Sequence, residues 1–192
     1  MKQLMLIITL VFAFSLLATA QKKYKPWHEW NEKEALKMLN DPSVQLTLAG
    51  RCDEAMLQYI QTTAGAIIKN IHFAGIIQPE ELPAFAARFD VGMAIELTTP
   101  ENRNICLTNK IFTYLIAGNA IIISETDMQV TFNKQYQIGE IFKLNDMDDL
   151  MAKIKYYKNR EQLDAQKRYN YALAEKQMNW GKESEILLTL FK

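Results

Sequence analysis

The run AIIIS, Ala120–Ser124, is apolar at four successive positions and shows no alternation. A strand with one face in water alternates apolar and polar side chains. A strand buried on both faces does not, and double burial belongs to parallel sheets covered by helices. Four more short runs follow the same grammar: LTLAG (46–50), NIHFAG (70–75), DVGMAIEL (90–97) and IGEIFKL (138–144). Between them lie stretches with helical spacing at about 53–63, 79–89, 108–117 and 127–132. After Asn145 the chain reads as helix to its end, with a break near Asn159. Strands alternating with helices at this interval predict βαβ units. The expected fold is α/β: a Rossmann-like parallel sheet of about five strands flanked by helices, with further helices at the C-terminus.

Composition is compatible with such a core. Of 192 residues, 49% are apolar and 23% charged, enough to cover a buried sheet and too few charges for a disordered chain. Lys+Arg and Asp+Glu both total 22, so the net charge is zero. A nucleic-acid binder would carry a basic excess, and none is expected here. Cys52 and Cys106 form no CxxC knuckle and no disulfide framework; two free thiols or a single bridge both fit.

The first twenty residues read differently. MKQLMLIITLVFAFSLLATA has an early lysine, an apolar run from Leu4 to Leu17 and small residues at Ala18–Ala20. These are the parts of a secretory signal peptide cleaved after Ala20. The apolar run is shorter than the ~20 residues of a bilayer span. Residues 21–43 then form a short tryptophan-bearing helical segment, with Trp27 and Trp30 on one face and Asn40-Asp41-Pro42 as its stop. It resembles, weakly, the segment after the signal peptide of some small secreted bacterial proteins. His28 reads as a solvated polar residue. The α/β domain is expected to occupy 44–192.

In a parallel sheet the loops after the strands open on one edge, where ligands bind. Those loops are Gly50-Arg51-Cys52, Gly75-Ile76-Ile77, Glu96–Leu107 and Ser124-Glu125-Thr126. Thr108 is the expected N-cap of the helix before AIIIS, turning the Asn109, Lys110 and Ile111 amides outward. Such a helix start attracts anions. A lysine there opposes the helix dipole, so Lys110 is either an anion ligand or an ordinary surface lysine.

Taken in order, LTLAG, NIHFAGIIQPEELPAFAARFDVGMAIE and LTNKIFTYLIAGNAIIIS resemble the donor-binding, C-terminal half of bacterial GT-B glycosyltransferases. That family has a strand ending in glycine, a "flG" strand, an "eLp" helix, an "aDv" strand and an "nKlfEYlaaG.pvv" helix and strand. The resemblance runs from about Leu46 to the C-terminus, and NYALAEKQMNWGKESEILLTLF resembles the tail helices, with Trp180 docking on the domain. It implies that backbone at Thr108, Asn109 and Lys110 holds a nucleotide diphosphate. It likewise implies that Gly75, Ile76 and Ile77 abut the base, and that Gly50 and Arg51 lie near the phosphates. The implied partners are a nucleotide sugar and a glycan or lipid-linked acceptor. The implied chemistry is glycosyl transfer without a metal or other cofactor, and no metal-ligand cluster stands out in the sequence.

The pattern is incomplete in three places. The ribose-binding glutamate expected five residues before Gly118 is Thr113, and its partner eight residues earlier is Ile105. Glu96 and Glu101 are the nearby carboxylates. The acceptor domain has no room, and no catalytic residue is identifiable. LTLAG also corresponds to the second strand of the donor half, so the first strand-helix pair is expected to be missing. A sheet edge would then be exposed, favouring self-association, and the chain would be a truncated or joined reading frame changing at Pro42–Leu46. The resulting expectation is a partial donor-binding domain, inactive alone. The alternative is a secreted, non-catalytic α/β binding or structural protein. The signal-like start points to export, whereas a glycosyltransferase portion belongs in the cytoplasm.

Overall fold

The computed structural model describes residues 4–10 and 41–189. The strands are β1 (Leu4–Leu10), β2 (Val44–Gly50), β3 (Ile71–Gly75), β4 (Val91–Ala94), β5 (Ala120–Ser124) and β6 (Gly139–Phe142). The helices are α1 (Glu54–Ala64), α2 (Leu82–Ala86), α3 (Glu101–Asn104), α4 (Asn109–Ile116), α5 (Asp127–Tyr136), α6 (Met147–Lys158), α7 (Arg160–Gln177) and α8 (Trp180–Thr189). A 3-10 turn at Gly65–Asn70 joins α1 to β3. All strand pairs are parallel, in the order β3-β2-β1-β4-β5-β6. This is the doubly wound Rossmann order, in which the chain reverses its direction of travel between β1 and β4.

Among the described residues the sheet therefore has six strands, and the additional one corrects the reading of the N-terminus. Leu4–Leu10, the first half of the signal-like apolar run, is a central strand. It pairs with β2 over seven residues, Leu4↔Val44 to Leu10↔Gly50, and with β4 at Leu6↔Val91 and Ile7↔Gly92. A strand buried on both faces and a signal h-region are the same kind of sequence, an uninterrupted apolar run. The strand inferred to be missing is present, and no edge is opened by its loss; the sheet edges are β3 and β6. The sheet also starts well before residue 44. Across the supposed junction, the Leu4 amide donates to Ser43 O at 2.7 Å, and Lys158 on α6 pairs with Asp41. The cleavage point after Ala20, the Trp27/Trp30 segment and His28 lie outside the described residues, as does the side chain of Trp180.

Two apolar layers cover the sheet. Leu4, Leu6, Val44, Leu46, Val91, Met93, Ala120 and Ile122 face one layer with Leu150, Ile154 and Tyr157 of α6. Ala94, Ile121 and Ile123 face the other, with Ile111, Tyr114 and Leu115 of α4 and Leu173 and Ala174 of α7. Every residue of AIIIS is fully buried, and its isoleucines divide between the two layers by the period-two geometry of a strand. Helix α4 ends at Gly118, φ 69°, with Gly118 N donating to Leu115 O and Asn119 N to Tyr114 O. That pair of bonds is a Schellman motif, which needs a residue comfortable in the left-handed region.

The amino edge of the sheet is closed by buried amides and one aspartate. Asn119 Nδ2 donates to Ala86 O and Phe89 O, while Asn170 Nδ2 donates to Asn119 O and Ile138 O. Asp90, the aspartate of the "aDv" resemblance, exchanges backbone bonds with the β1 strand. Its amide donates to Met5 O at 2.9 Å and its carboxylate accepts from Met5 N at 3.0 Å. Arg160 and Lys167 flank the same carboxylate at 3.5 and 3.6 Å. Asp90 is thus a structural clasp on β1, at the edge opposite the ligand loops.

At Gly139, a Cβ would lie 1.9 Å from the Ile121 carbonyl oxygen, the residue it pairs with in β5. Gly139→Ala is therefore expected to cost about 3 kcal/mol, at the upper end of overpacking. In thermal denaturation the midpoint should fall by roughly 6–12 °C. An unchanged midpoint would mean that β6 pairs in another register.

Candidate functional site

The carboxyl ends of all strands open on one edge, as the parallel order requires. The richest chemistry gathers where β4 and β5 end. Ser124, the last residue of β5, accepts a backbone hydrogen bond there: the Glu96 amide donates to Ser124 Oγ at 2.8 Å. The serine hydroxyl bonds Gln129 Oε1 at 3.1 Å, and Gln129 Nε2 donates to Ala94 O at 2.9 Å. Ser124 and Gln129 are fully buried and Glu96 is 3% exposed. This closed ring fixes Glu96 immediately beyond β4.

Two cations meet the Glu96 carboxylate. Lys110 Nζ donates to Oε1 at 2.6 Å and to Ile95 O at 2.9 Å, and Arg103 Nη1 contacts Oε2 at 3.2 Å. Lys110 is 8% exposed, so its ammonium points into the protein. Its backbone contributes to the mouth of α4, as expected, but its side chain serves Glu96 there and is not a free surface charge. Asn104 and Asp127 lock the far end of this loop to α5: Asn104 Nδ2 donates to Asp127 Oδ2 at 2.7 Å, and Asp127 N donates to Asn104 Oδ1 at 3.0 Å.

Thr108 occupies the N-cap of α4 with extended backbone, yet its hydroxyl makes no capping bond and is buried without a partner among the described residues. The Ile111 amide donates to Thr108 O at 3.2 Å, so the expectation of three outward amides is corrected to Asn109 and Lys110. Asn109 is exposed, and Thr113 is half-buried one turn into the helix. Glu96 is buried in its ion pair and unsuited to hold ribose hydroxyls; Glu101 is exposed on α3.

The remaining predicted residues lie on the β2–β3 side of the same edge. Gly50 (φ 136°) and Gly75 (φ 70°) end their strands in backbone conformations that favour glycine. Arg51 is exposed, Ile76 is 65% exposed and Ile77 is half-buried against the core layer of α4. Cys52 and Cys106 are free thiols, settling the pairing question for these positions. Burial and the neighbouring Asp53 push the Cys52 thiol up, which keeps it a weak nucleophile. Among the described residues no group of three His, Cys, Asp or Glu could hold a metal ion, and no helix is long and apolar enough to cross a membrane.

Sequence reasoning did not single out Arg103, and it placed Lys110 without its partner. Residues 96, 103 and 110 are seven apart but lie beyond β4, on α3 and on α4 in turn, so no single helical or strand period brings their side chains together. A carboxylate directly after a fully apolar strand was the available signal.

No protein-family profile matches the chain, and no curated protein matches its sequence. Solved structures do resemble it. HepE of Anabaena in complex with UDP superposes with a TM-score of 0.70 at 14% identity, over 98% of this chain and 49% of that one. Sucrose-phosphate synthase of Thermosynechococcus elongatus gives 0.67 at 14%, over 98% and 46%. The C-terminal domain of a group 1 glycosyl transferase, LpcC, from Francisella tularensis gives 0.61 at 11%, over 93% and 88%. The chain thus spans about half the length of the first two and most of the isolated C-terminal domain. At these identities the likeness is one of fold: this chain folds as a Rossmann-like domain similar to the C-terminal half of GT-B glycosyltransferases.

Proposed function

We propose that the chain is a glycosyltransferase donor-binding domain that takes a nucleoside-diphosphate sugar at the start of α4. The observation carrying this reading is the electrostatics of that helix start. Lys110 and Arg103 both face Glu96, and the exposed Glu101 brings the formal charge of residues 95–110 to zero, so the anion-attracting feature is the helix start, whose Asn109 and Lys110 amides have no partner among the described residues. These groups lie next to the β1/β4 reversal, where open α/β sheets receive ligands. Donors held ready for a diphosphate stabilise the departing group of glycosyl transfer without reorganising. Structural relatives solved with UDP or UDP-glucose support the same ligand class.

Thr113 cannot accept two ribose hydroxyls as a carboxylate does, so the base and ribose are held less firmly than the diphosphate. The acceptor, a glycan or lipid-linked group, would come from a second domain or chain, and the 192 residues alone would not catalyse transfer. We further propose that the chain keeps its N-terminus and stays in the cytoplasm, where nucleotide sugars are made, because cleavage after Ala20 would remove β1. Isothermal titration of the full chain with UDP and GDP tests the donor reading. Measurable heat with at least one of them is expected. A folded sample silent to both would sink it.

A further inference from the structure

The two cations on Glu96 are held very differently, and the difference assigns them different tasks. Lys110 is buried, with two of its three N–H donors at 2.6 and 2.9 Å from charged or carbonyl oxygens. Removing it would leave a carboxylate that is itself almost closed to water with only the single contact from Arg103. Arg103 is 29% exposed and touches the carboxylate through one nitrogen at 3.2 Å. A guanidinium carries five N–H donors in a planar fork suited to two-point binding of phosphate. Among the described residues only one of Arg103's guanidinium nitrogens is engaged. A partly exposed, single-point ion pair contributes little to stability, and Glu96 remains neutralised by Lys110 when Arg103 leaves.

The surrounding loop positions Arg103 without consuming it. Its neighbour Asn104 is fastened to Asp127 by two reciprocal bonds, which anchors α3 against α5. Because Arg103 and Lys110 share one carboxylate, the guanidinium lies within one side chain's reach of the first turn of α4. The buried Thr108 hydroxyl, without a partner among the described residues, lies at that same turn.

We propose that Arg103 is the exchangeable cation of this site: it rests on Glu96 and transfers to a phosphate of the ligand, while Lys110 stays behind as permanent counter-ion. This rests on the donor-domain reading for the identity of the ligand, but the contact itself requires only a di- or polyphosphate.

The test titrates the full chain and its Arg103→Gln and Arg103→Lys variants with UDP, uridine and inorganic pyrophosphate. Arg103→Gln should weaken UDP binding roughly 10- to 50-fold, the loss of a charge-assisted contact. It should leave uridine within twofold and abolish measurable pyrophosphate binding; Arg103→Lys should recover only part of the loss. Wild-type thermal midpoints in both variants would show that the fold is intact. Loss of pyrophosphate binding in a chain that ignores UDP and uridine supports the exchange and overturns the nucleotide reading. Unchanged UDP and pyrophosphate affinity in Arg103→Gln, or equal losses for UDP and uridine, overturns the exchange.

Discussion

A chain beginning at Gln21 is expected to have no cooperative unfolding transition, although it keeps 172 of the 192 residues. What it lacks is β1, which lies third in the sheet and carries the pairing of β2 on one side and β4 on the other. Without it the sheet separates into a β3–β2 pair and a β4–β5–β6 trio, each with a new unpaired edge in apolar surroundings. Leu6 is fully buried and Leu4 nearly so, and the layer of α6 closes over both. Deleting one such leucine side chain to alanine typically costs about 2–5 kcal/mol, and whole domains are stable by only about 5–15 kcal/mol. Losing the entire strand exceeds that margin. Near-ultraviolet circular dichroism and a thermal melt measure this directly, and Leu6→Ala serves as the graded version, with a Tm lower by roughly 4–20 °C. A shortened chain that melts cooperatively at the wild-type temperature would show that β1 is dispensable, and would revive export with cleavage.

This prediction marks where the sequence was ambiguous. From Leu46 onward the elements were legible because two periods alternate with punctuation: glycines at 50, 75 and 118 end the strands or helix ahead of them, and Asn159 breaks α6 from α7 by capping the latter, its Oδ1 accepting from Glu161 N. Leu4–Leu10 was misread because strand and h-region differ only in what surrounds them, and the surroundings of β1 come from residues 40 and 85 positions away. The site divided similarly. Backbone features such as the α4 start and its glycine end are local and could be read. The destination of the Lys110 ammonium is tertiary, set by where β4 delivers Glu96. The polar clasp of Asp90 on Met5 was hidden for the same reason, since the motif around Asp90 revealed its position but not its partner.

The buried pair itself yields the second large expectation. Glu96→Leu should cost about 3–5 kcal/mol, because it leaves the Lys110 ammonium with one carbonyl, Ile95 O, and little access to water. Lys110→Met should cost less, about 1–3 kcal/mol, because Arg103 remains on the carboxylate. The double variant Glu96→Leu/Lys110→Met removes both charges together, and buried pairs replaced together are often neutral. Its stability is expected within about 1–2 kcal/mol of wild type, far better than the sum of the single changes. Urea denaturation of the four proteins gives the coupling energy. Additive losses would show that the two side chains do not act as a unit. The same double variant separates structure from binding, because it releases Arg103 from its resting partner while deleting the Lys110 ammonium. If the lysine side chain contacts phosphate, UDP affinity should collapse in this well-folded protein. If it serves only to neutralise Glu96, as its burial requires, affinity should persist or rise.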